Sequence, residues 1–268
     1  KKLLVISSLL AVFLLLPIPI NAAPSLDEIN QKVCTRFEED ALRMMRAIRI
    51  ASQLGFVIEQ KTLEAISEKS DLITNISWER IRDEFLKLLC SDFPEESMSL
   101  LVSTHLLEHI LPELLECKGV QQAHHHIYDV WTHTLKAVKA CPSKDPIVRF
   151  ASLLHDVRKP KVMSKDEEGL VIFYNHELAG AKQARNICDR LKFSKKERDK
   201  IVNLIRWHMF TVDEKLSDAG VRRFIRRIGV ENVKDMMDLR IGDRLGGGTQ
   251  TAESWRLKLI KIRIEEQL

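Results

Sequence analysis

Apolar residues recur at three- and four-residue steps through most of the chain, the spacing that gives a helix one buried face. In EEDALRMMRAIRIASQLGF (38–56), Leu42, Met45, Ile48, Ala51 and Leu54 form one stripe, and Gly55 follows as a helix stop. Residues 62–67 predict a short helix. ISWERIRDEFLKLL (76–89) predicts another, with Ser77 as its N-cap. The strongly apolar stretch 98–115 is expected to pack the base of this block. Residues 116–124 are polar and contain Gly119, so the boundary is placed there. Beyond it, DVWTHTLKAVKA, IVRFASLLHDV, ELAGAKQARNICDRL, KERDKIVNLIRWHMF and VRRFIRRIG all read as helices. Gly246, Gly247 and Gly248 form a flexible cluster, and a last helix is expected from about Ala252. The fold class expected is all-α, with a first helical block over 25–120 and a second over 121–268.

Composition agrees. Hydrophobic residues make up 45% and charged residues 30%, enough apolar matter for a core and too much for a disordered chain. Ten glycines, eight prolines and 6% aromatics are too few for the turns and strands of a sandwich or barrel. Residues 1–120 carry 13 basic against 18 acidic side chains, whereas residues 121–268 carry 29 against 20. A basic second half suits phosphate-bearing partners. Cys34, Cys90, Cys117, Cys141 and Cys188 are odd in number and lack a C-x-x-C, the pattern of reduced intracellular thiols. The N-terminus points the other way. Lys1 and Lys2, the apolar run LLVISSLLAVFLLLPIPI and the following Asn-Ala-Ala-Pro have the layout of a secretory signal. Residues 1–24 therefore stand as a signal-like segment or as a spurious or fused beginning. Their apolar core is too short for a stable membrane span. The location expected is cytoplasmic, with export as the alternative if the segment acts as a signal.

Two groups of residues carry candidate chemistry. On the first long helix, Asp40 and Arg43 lie three apart and should meet on one face, with Arg46 and Arg49 continuing the line. A carboxylate beside a guanidinium can pair with a base edge. From spacing alone, an ordinary surface ion-pair ladder including Glu39 is the favoured reading. The second group is stronger. His155 and Asp156 adjoin at the end of an apolar helix, His133 lies one helix earlier, and His176, His208 and Asp243 follow. Imidazoles and carboxylates from several helices can converge on one or two divalent ions, and a buried Asp needs such compensation. Lys159 could meet a substrate phosphate. His105, His109, His124 and His125 read as ordinary histidines. Arg222, Arg223, Arg226 and Arg227 on VRRFIRRIG could hold RNA phosphates or simply face solvent.

RFEEDALRMMRAIRIASQLGF followed by ISWERIRDEFLKLL resembles the neck of bacterial CCA-adding tRNA nucleotidyltransferases and their poly(A) polymerase relatives. HIYDVWTHTL, LLHDVRKP, FYNHELAGAKQARNICDRL, LIRWHM and GDRLGGG resemble the HD-type metal-dependent phosphohydrolase domain fused to many of those enzymes. The resemblance implies that Asp40 and Arg43 select CTP or ATP, and Arg46 on the same helix line is a further nucleotide-binding candidate. It implies that His133, His155, Asp156, His176, His208 and Asp243 hold divalent metal (Mg, Mn, Ni or Co), with Asp156 and Lys159 in catalytic roles. It also implies tRNA or other RNA as partner, and phosphomonoesters or 2′,3′-cyclic phosphates as substrates.

The sequence departs from the family twice. It contains no Gly-Ser and no Asp-x-Asp, the pairs that serve nucleotide transfer in the family's head, so CCA addition by this chain alone is not expected. Where the family often reads H-D-x-G-K, Arg158 replaces the glycine. If that position needs positive φ, Arg158 strains the turn beside the metal; otherwise it adds a cation. Three readings follow: a headless nucleotidyltransferase relative keeping nucleotide and RNA recognition plus a phosphohydrolase centre, a freestanding HD phosphohydrolase, and a non-catalytic RNA-binding remnant.

Overall fold

The computed structural model describes residues 5–6, 26–122, 127–210, 217–252 and 254–267. Apart from Val5 and Ile6, the signal-like segment lies outside the described residues, as do His124 and His125. The chain forms two compact units, residues 1–112 and 113–268.

The first unit is built from helices α1 (Leu26–Glu39), α2 (Leu42–Leu54), α3 (Gln60–Glu68), α4 (Trp78–Leu89), α5 (Pro94–Ser103) and α6 (Leu106–Ile110). Two-residue strands β1 (Val5–Ile6) and β2 (Val57–Ile58) pair in parallel. The helix expected to open at Glu39 and Asp40 starts only at Leu42, and a separate helix ends at Glu39. Asp40 Oδ1 accepts the backbone N–H of Leu42 at 3.2 Å, a local bond that competes with continuation of the helix. Gly55 ends α2 as expected, in the left-handed conformation at φ +65°, with its N–H returned to the Ala51 carbonyl. Leu54, expected on the buried stripe, is exposed beside this cap, whereas Leu42, Met45, Ile48 and Ala51 are buried. Ser77 occupies the N-cap of α4 with extended backbone, but its side chain makes no capping bond. Ile81, Phe85, Leu88 and Leu89 of α4 close the core against Met44, Met45 and Ile48 of α2.

A short helix α7 (Pro112–Leu115) leads into the second unit. There α8 (Val130–Ala140), α9 (Pro146–Leu154), α10 (Lys159–Val162), α11 (His176–Arg190), α12 (Lys195–Trp207), α13 (Asp218–Ile228), α14 (Val233–Gly246) and α15 (Trp255–Glu265) follow in order. A small antiparallel hairpin, β3 (Ser164–Lys165) with β4 (Val171–Ile172), stands between α10 and α11. Local signals fix most helix starts. Asp129 caps α8 through Thr132 N–H, Asp145 caps α9 ahead of Pro146, and Ser194 and Glu197 form a reciprocal capping box on α12. Phe150, Leu153, Leu154, Ile187, Leu204 and Ile205 fill the interior between α9, α11 and α12.

α14 packs closely on α8. A Cβ added at Gly242 would lie 2.6 Å from the Ala137 carbonyl oxygen, and one at Gly246 would lie 2.7 Å from the Ala137 nitrogen. The two glycines stand one turn apart on the face of α14 that meets α8, so the backbones come together where any side chain would hold them apart.

Candidate metal centre

Five elements deliver the site. His133 projects from α8, His155 and Asp156 from the turn after α9, His176 from the start of α11, His208 from the end of α12 and Asp243 from α14. Gly242 and Gly246 flank Asp243, so the close approach of α14 to α8 is what sets this carboxylate 3.2 Å from His133 Nε2. All six side chains are buried.

Their ligating atoms form two groups of three, His133, His155 and Asp243 in one and Asp156, His176 and His208 in the other. Asp156 joins them. Its Oδ2 lies 3.2 Å from His155 Nε2 and 3.4 Å from His133 Nε2, while its Oδ1 lies 3.4 Å from His176 Nε2 and 3.9 Å from His208 Nε2. Backbone carbonyls orient three of the rings. His155, His176 and His208 each place Nδ1 against a carbonyl, of Ser152, Phe173 and Ile205, at 2.7–2.8 Å. A carbonyl can only accept, so each Nδ1 donates and each ring turns its Nε2 inward. The Nε2 atoms of His176 and His208 consequently face each other at 3.3 Å. Two inward-facing Nε2 atoms at that separation are placed to share one cation. The donor set fits a divalent metal on this ground.

Electrostatics agree. Burial opposes ionisation of Asp156 and Asp243, yet the neighbouring His155, with Lys159 for Asp156 and His133 for Asp243, holds both carboxyls well below their usual range. Burial would lower His155, but the two carboxylates overcome it and push the imidazole up to about 10. His208 is pushed down to about 3, first by burial and then by repulsion from His155, and stays neutral. The pocket therefore holds two ionised carboxylates flanked by the cationic His155 and Lys159, with the neutral His208 imidazole on the far side.

Lys159 enters the same place. Its Nζ lies 2.7 Å from Asp156 Oδ2 and donates to Gln122 Oε1 at 2.7 Å. The opening above the site is a pocket of about 400 Å³ that also presents Phe173, Tyr174, Arg240 and Arg244. Arg240 was not anticipated from the sequence. It forms a close ion pair with Asp243 Oδ2, leaving Oδ1 turned to His133 and His155. Its position one helical turn before Asp243 was the available signal. Arg158 has φ −103° and ψ 0°, so the position held by glycine in the family motif carries no positive-φ strain here.

In the first unit the expected nucleotide-selecting residues lie near one another but pair differently. Arg43 binds Glu39 at 2.8 Å and the Arg36 carbonyl, not Asp40. The expected Asp40–Arg43 pairing is therefore corrected: the break at Asp40 directs its carboxylate across to Arg80 at 2.9 Å, with Arg46 at 3.9 Å. Arg46 and Arg49 both reach Glu84, at 3.6 and 2.7 Å. Glu84 was missed; its signal was a carboxylate on the apolar stripe of Ile81, Phe85 and Leu88. On α13, Arg222, Arg223, Arg226 and Arg227 are all exposed, in two rows of residues four apart.

A helical unit whose His and Asp side chains meet in two triads defines the class: the chain belongs to the HD domain family, which matches residues 124–259. HD domains are metal-dependent. The description "Probable RNA and SrmB- binding site of polymerase A" matches residues 55–118. The likeness to CCA-adding and poly(A) polymerase-like proteins is borne out. The chain is 34% identical over 215 residues to the A-adding tRNA nucleotidyltransferase of Deinococcus radiodurans, covering 76% of this chain and 49% of the relative. It is 32% identical over 229 residues to the CC-adding tRNA nucleotidyltransferase of Thermus thermophilus, covering 82% and 52%. The chain thus spans about half the length of these relatives. The crystal structure of the Bacillus stearothermophilus CCA-adding enzyme in complex with CTP shares the fold, with a TM-score of 0.61 at 20% identity over 92% of this chain and 54% of that one. Among the described residues no helix is long and apolar enough to cross a membrane.

Proposed function

We propose that the second unit is a divalent-metal phosphohydrolase acting on phosphomonoesters or 2′,3′-cyclic phosphates. The observation that carries this reading is Asp156, whose two oxygens face separate groups of inward-turned imidazoles. His133, His155 and Asp243 would hold one ion, His176 and His208 a second, and Asp156 would bridge them. A donor set this rich in imidazole suits Mn, Co or Ni better than Mg, which prefers oxygen ligands. Bound there, such ions supply an activated water and clamp phosphoryl oxygens. The protein's own part is positioning. Lys159 stands beside Asp156 and offers its ammonium to a phosphate oxygen, and Arg240 fixes which Asp243 oxygen faces the histidines. Phe173 and Tyr174 provide an aromatic wall for the organic part of the ester.

For the first unit the proposal is nucleotide recognition, with Asp40, Arg43 and Arg46 offering acceptors and forked donors to CTP or ATP. The sequence carries no Gly-Ser or Asp-x-Asp pair, and nucleotide transfer is not assigned to these residues. With tRNA or other RNA as partner, the cytoplasm is the proposed place of action.

The test is hydrolysis of 2′,3′-cyclic AMP and of a generic monoester by the full chain with Mn²⁺, Co²⁺, Ni²⁺ or Mg²⁺. Metal-dependent turnover that falls at least about a thousandfold in Asp156→Ala, together with lost metal content, is expected, since a carboxylate shared by both ions is removed. No turnover with any of the four metals would sink the reading.

A further inference from the structure

We infer that α12 and α13 form a track for single-stranded nucleic acid leading to the metal pocket, so that the substrate of that pocket is the end of a polynucleotide strand. This rests on the phosphohydrolase reading only for what happens at the end of the track. A second groove of about 320 Å³ lies beside the metal pocket, lined by Arg206, Trp207, Arg223 and Arg227, with Phe210 and Phe224 at its floor. Met209 lines both depressions and is half exposed, so they adjoin. Arg240 and Arg244 continue the cationic side chains into the metal pocket.

The arginines are held rather than loose. The guanidinium carbon of Arg206 lies 4.3 Å from the centre of the Trp207 ring and that of Arg227 lies 5.0 Å from it. A guanidinium seated on an aromatic ring keeps its N–H edges free for an anion. Glu177, the carboxylate of the groove, is 3.7 Å from Arg206 and neutralises one cation in part. The Phe210 and Phe224 rings meet at a tilt of 46°, their centres 4.8 Å apart. Guanidinia at successive positions with aromatic rings between them match a flexible phosphodiester chain, which needs repeated cations and flat apolar faces. A duplex would present neither its bases nor a narrow enough profile.

The geometry also divides the four arginines of α13. Arg223 and Arg227, four apart, line the groove; Arg222 and Arg226 form the other row, and Arg222 donates to Gln267 Oε1 at 2.7 Å. Only the first row should matter for the strand.

The experiment is fluorescence anisotropy of a labelled 12-nucleotide single-stranded RNA with the full chain, across a salt series. Arg223→Gln with Arg227→Gln is expected to weaken binding at least about tenfold and to lower the slope of log affinity against log salt by about 1.4, the yield of two lost single-strand phosphate contacts. Arg222→Gln with Arg226→Gln should change affinity by less than about twofold, a counterion effect alone. Equal loss in both pairs, no loss in the first, or equally tight binding of a 12-base-pair duplex would overturn the track. The link to the pocket is read separately. The first pair should raise KM for an RNA ending in a 2′,3′-cyclic phosphate more than for 2′,3′-cyclic AMP, and equal changes would overturn it. Absence of turnover in the parent chain would count against the phosphohydrolase and leave the binding result standing.

Discussion

Glu84 in the first unit and Asp156 in the second are both buried carboxylates set on helical scaffolds, and their surroundings differ in kind. Around Glu84 the chain supplies the neutralising charge itself: Arg49 at 2.7 Å, Lys87 at 3.2 Å and Arg46 at 3.6 Å, all on side chains that reach solvent. Around Asp156 it supplies the Lys159 ammonium and four imidazoles, one of them the His155 ring whose pKa is raised to about 10, and three of them fixed by carbonyls so that Nε2 points inward. Cations of the chain make a buried carboxylate structural, because its charge is complete when folding is complete. Inward Nε2 atoms are ligands instead, and a bound metal takes the place of their protons. The same residue chemistry is thus a strut in one unit and a ligand in the other.

Metal addition exposes this difference most strongly. At a hundredfold excess over its dissociation constant, Mn²⁺ or Ni²⁺ should stabilise the second unit by about 2.7 kcal/mol through mass action alone. Hydrogen-exchange protection should rise around α8, α9 and α14 and stay unchanged around Glu84. Protection gained equally in residues 26–112 would break the comparison. A somewhat smaller effect is expected from Gly242→Ala. Its Cβ would meet the Ala137 carbonyl oxygen and Cys141 backbone, overpacking that costs about 1–3 kcal/mol. Because Asp243 is the next residue, calorimetric titration should also find weaker metal binding. Destabilisation with metal affinity intact would mean that the helix spacing does not set the ligand geometry.

Much of this contrast was legible in the chain. A His-Asp pair ending an apolar helix cannot be left uncompensated, which is why His155 and Asp156 stood out, and helical periodicity with Gly55 as a stop located α2. What escaped depended on partners far away in sequence or on backbone detail. Glu84 lies 35 residues from Arg49, and no local pattern announces that pairing. Spacing placed Asp40 against Arg43 because it assumed an unbroken helix; one side-chain bond to Leu42 N–H redirected the carboxylate to Arg80. The apolar stretch 98–115 became three short helices because His105 adopts φ +61° and Pro112 excludes helical backbone at Leu111. The two-row division of the α13 arginines follows from period, but which row meets the groove depends on how α12 packs beside it.

The smallest expected effect tests the strut itself. Glu84→Gln keeps the shape and removes the charge that Arg46, Arg49 and Lys87 neutralise. Full burial of all partners would make the loss several kcal/mol, but the cations reach water, and about 1–2 kcal/mol is expected. Its pH dependence has a definite sign. Burial alone would raise the Glu84 carboxyl, yet the bonds from Arg49 and Lys87 outweigh it and hold the group below its ordinary value. A carboxyl depressed in the folded state binds fewer protons there than in the unfolded chain. Its contribution is therefore complete above the unfolded value of about 4.3 and fades as pH falls through the folded value. Thermal melts of the parent chain and of Glu84→Gln should differ most at pH 6–7 and draw closer as pH falls below about 4.3, with metal content equal in both. A gap that does not narrow at all as pH falls below about 4 would mean that Glu84 stabilises by shape and not by charge. Loss of metal in the variant would mean that strut and ligand are not the separate devices their surroundings make them.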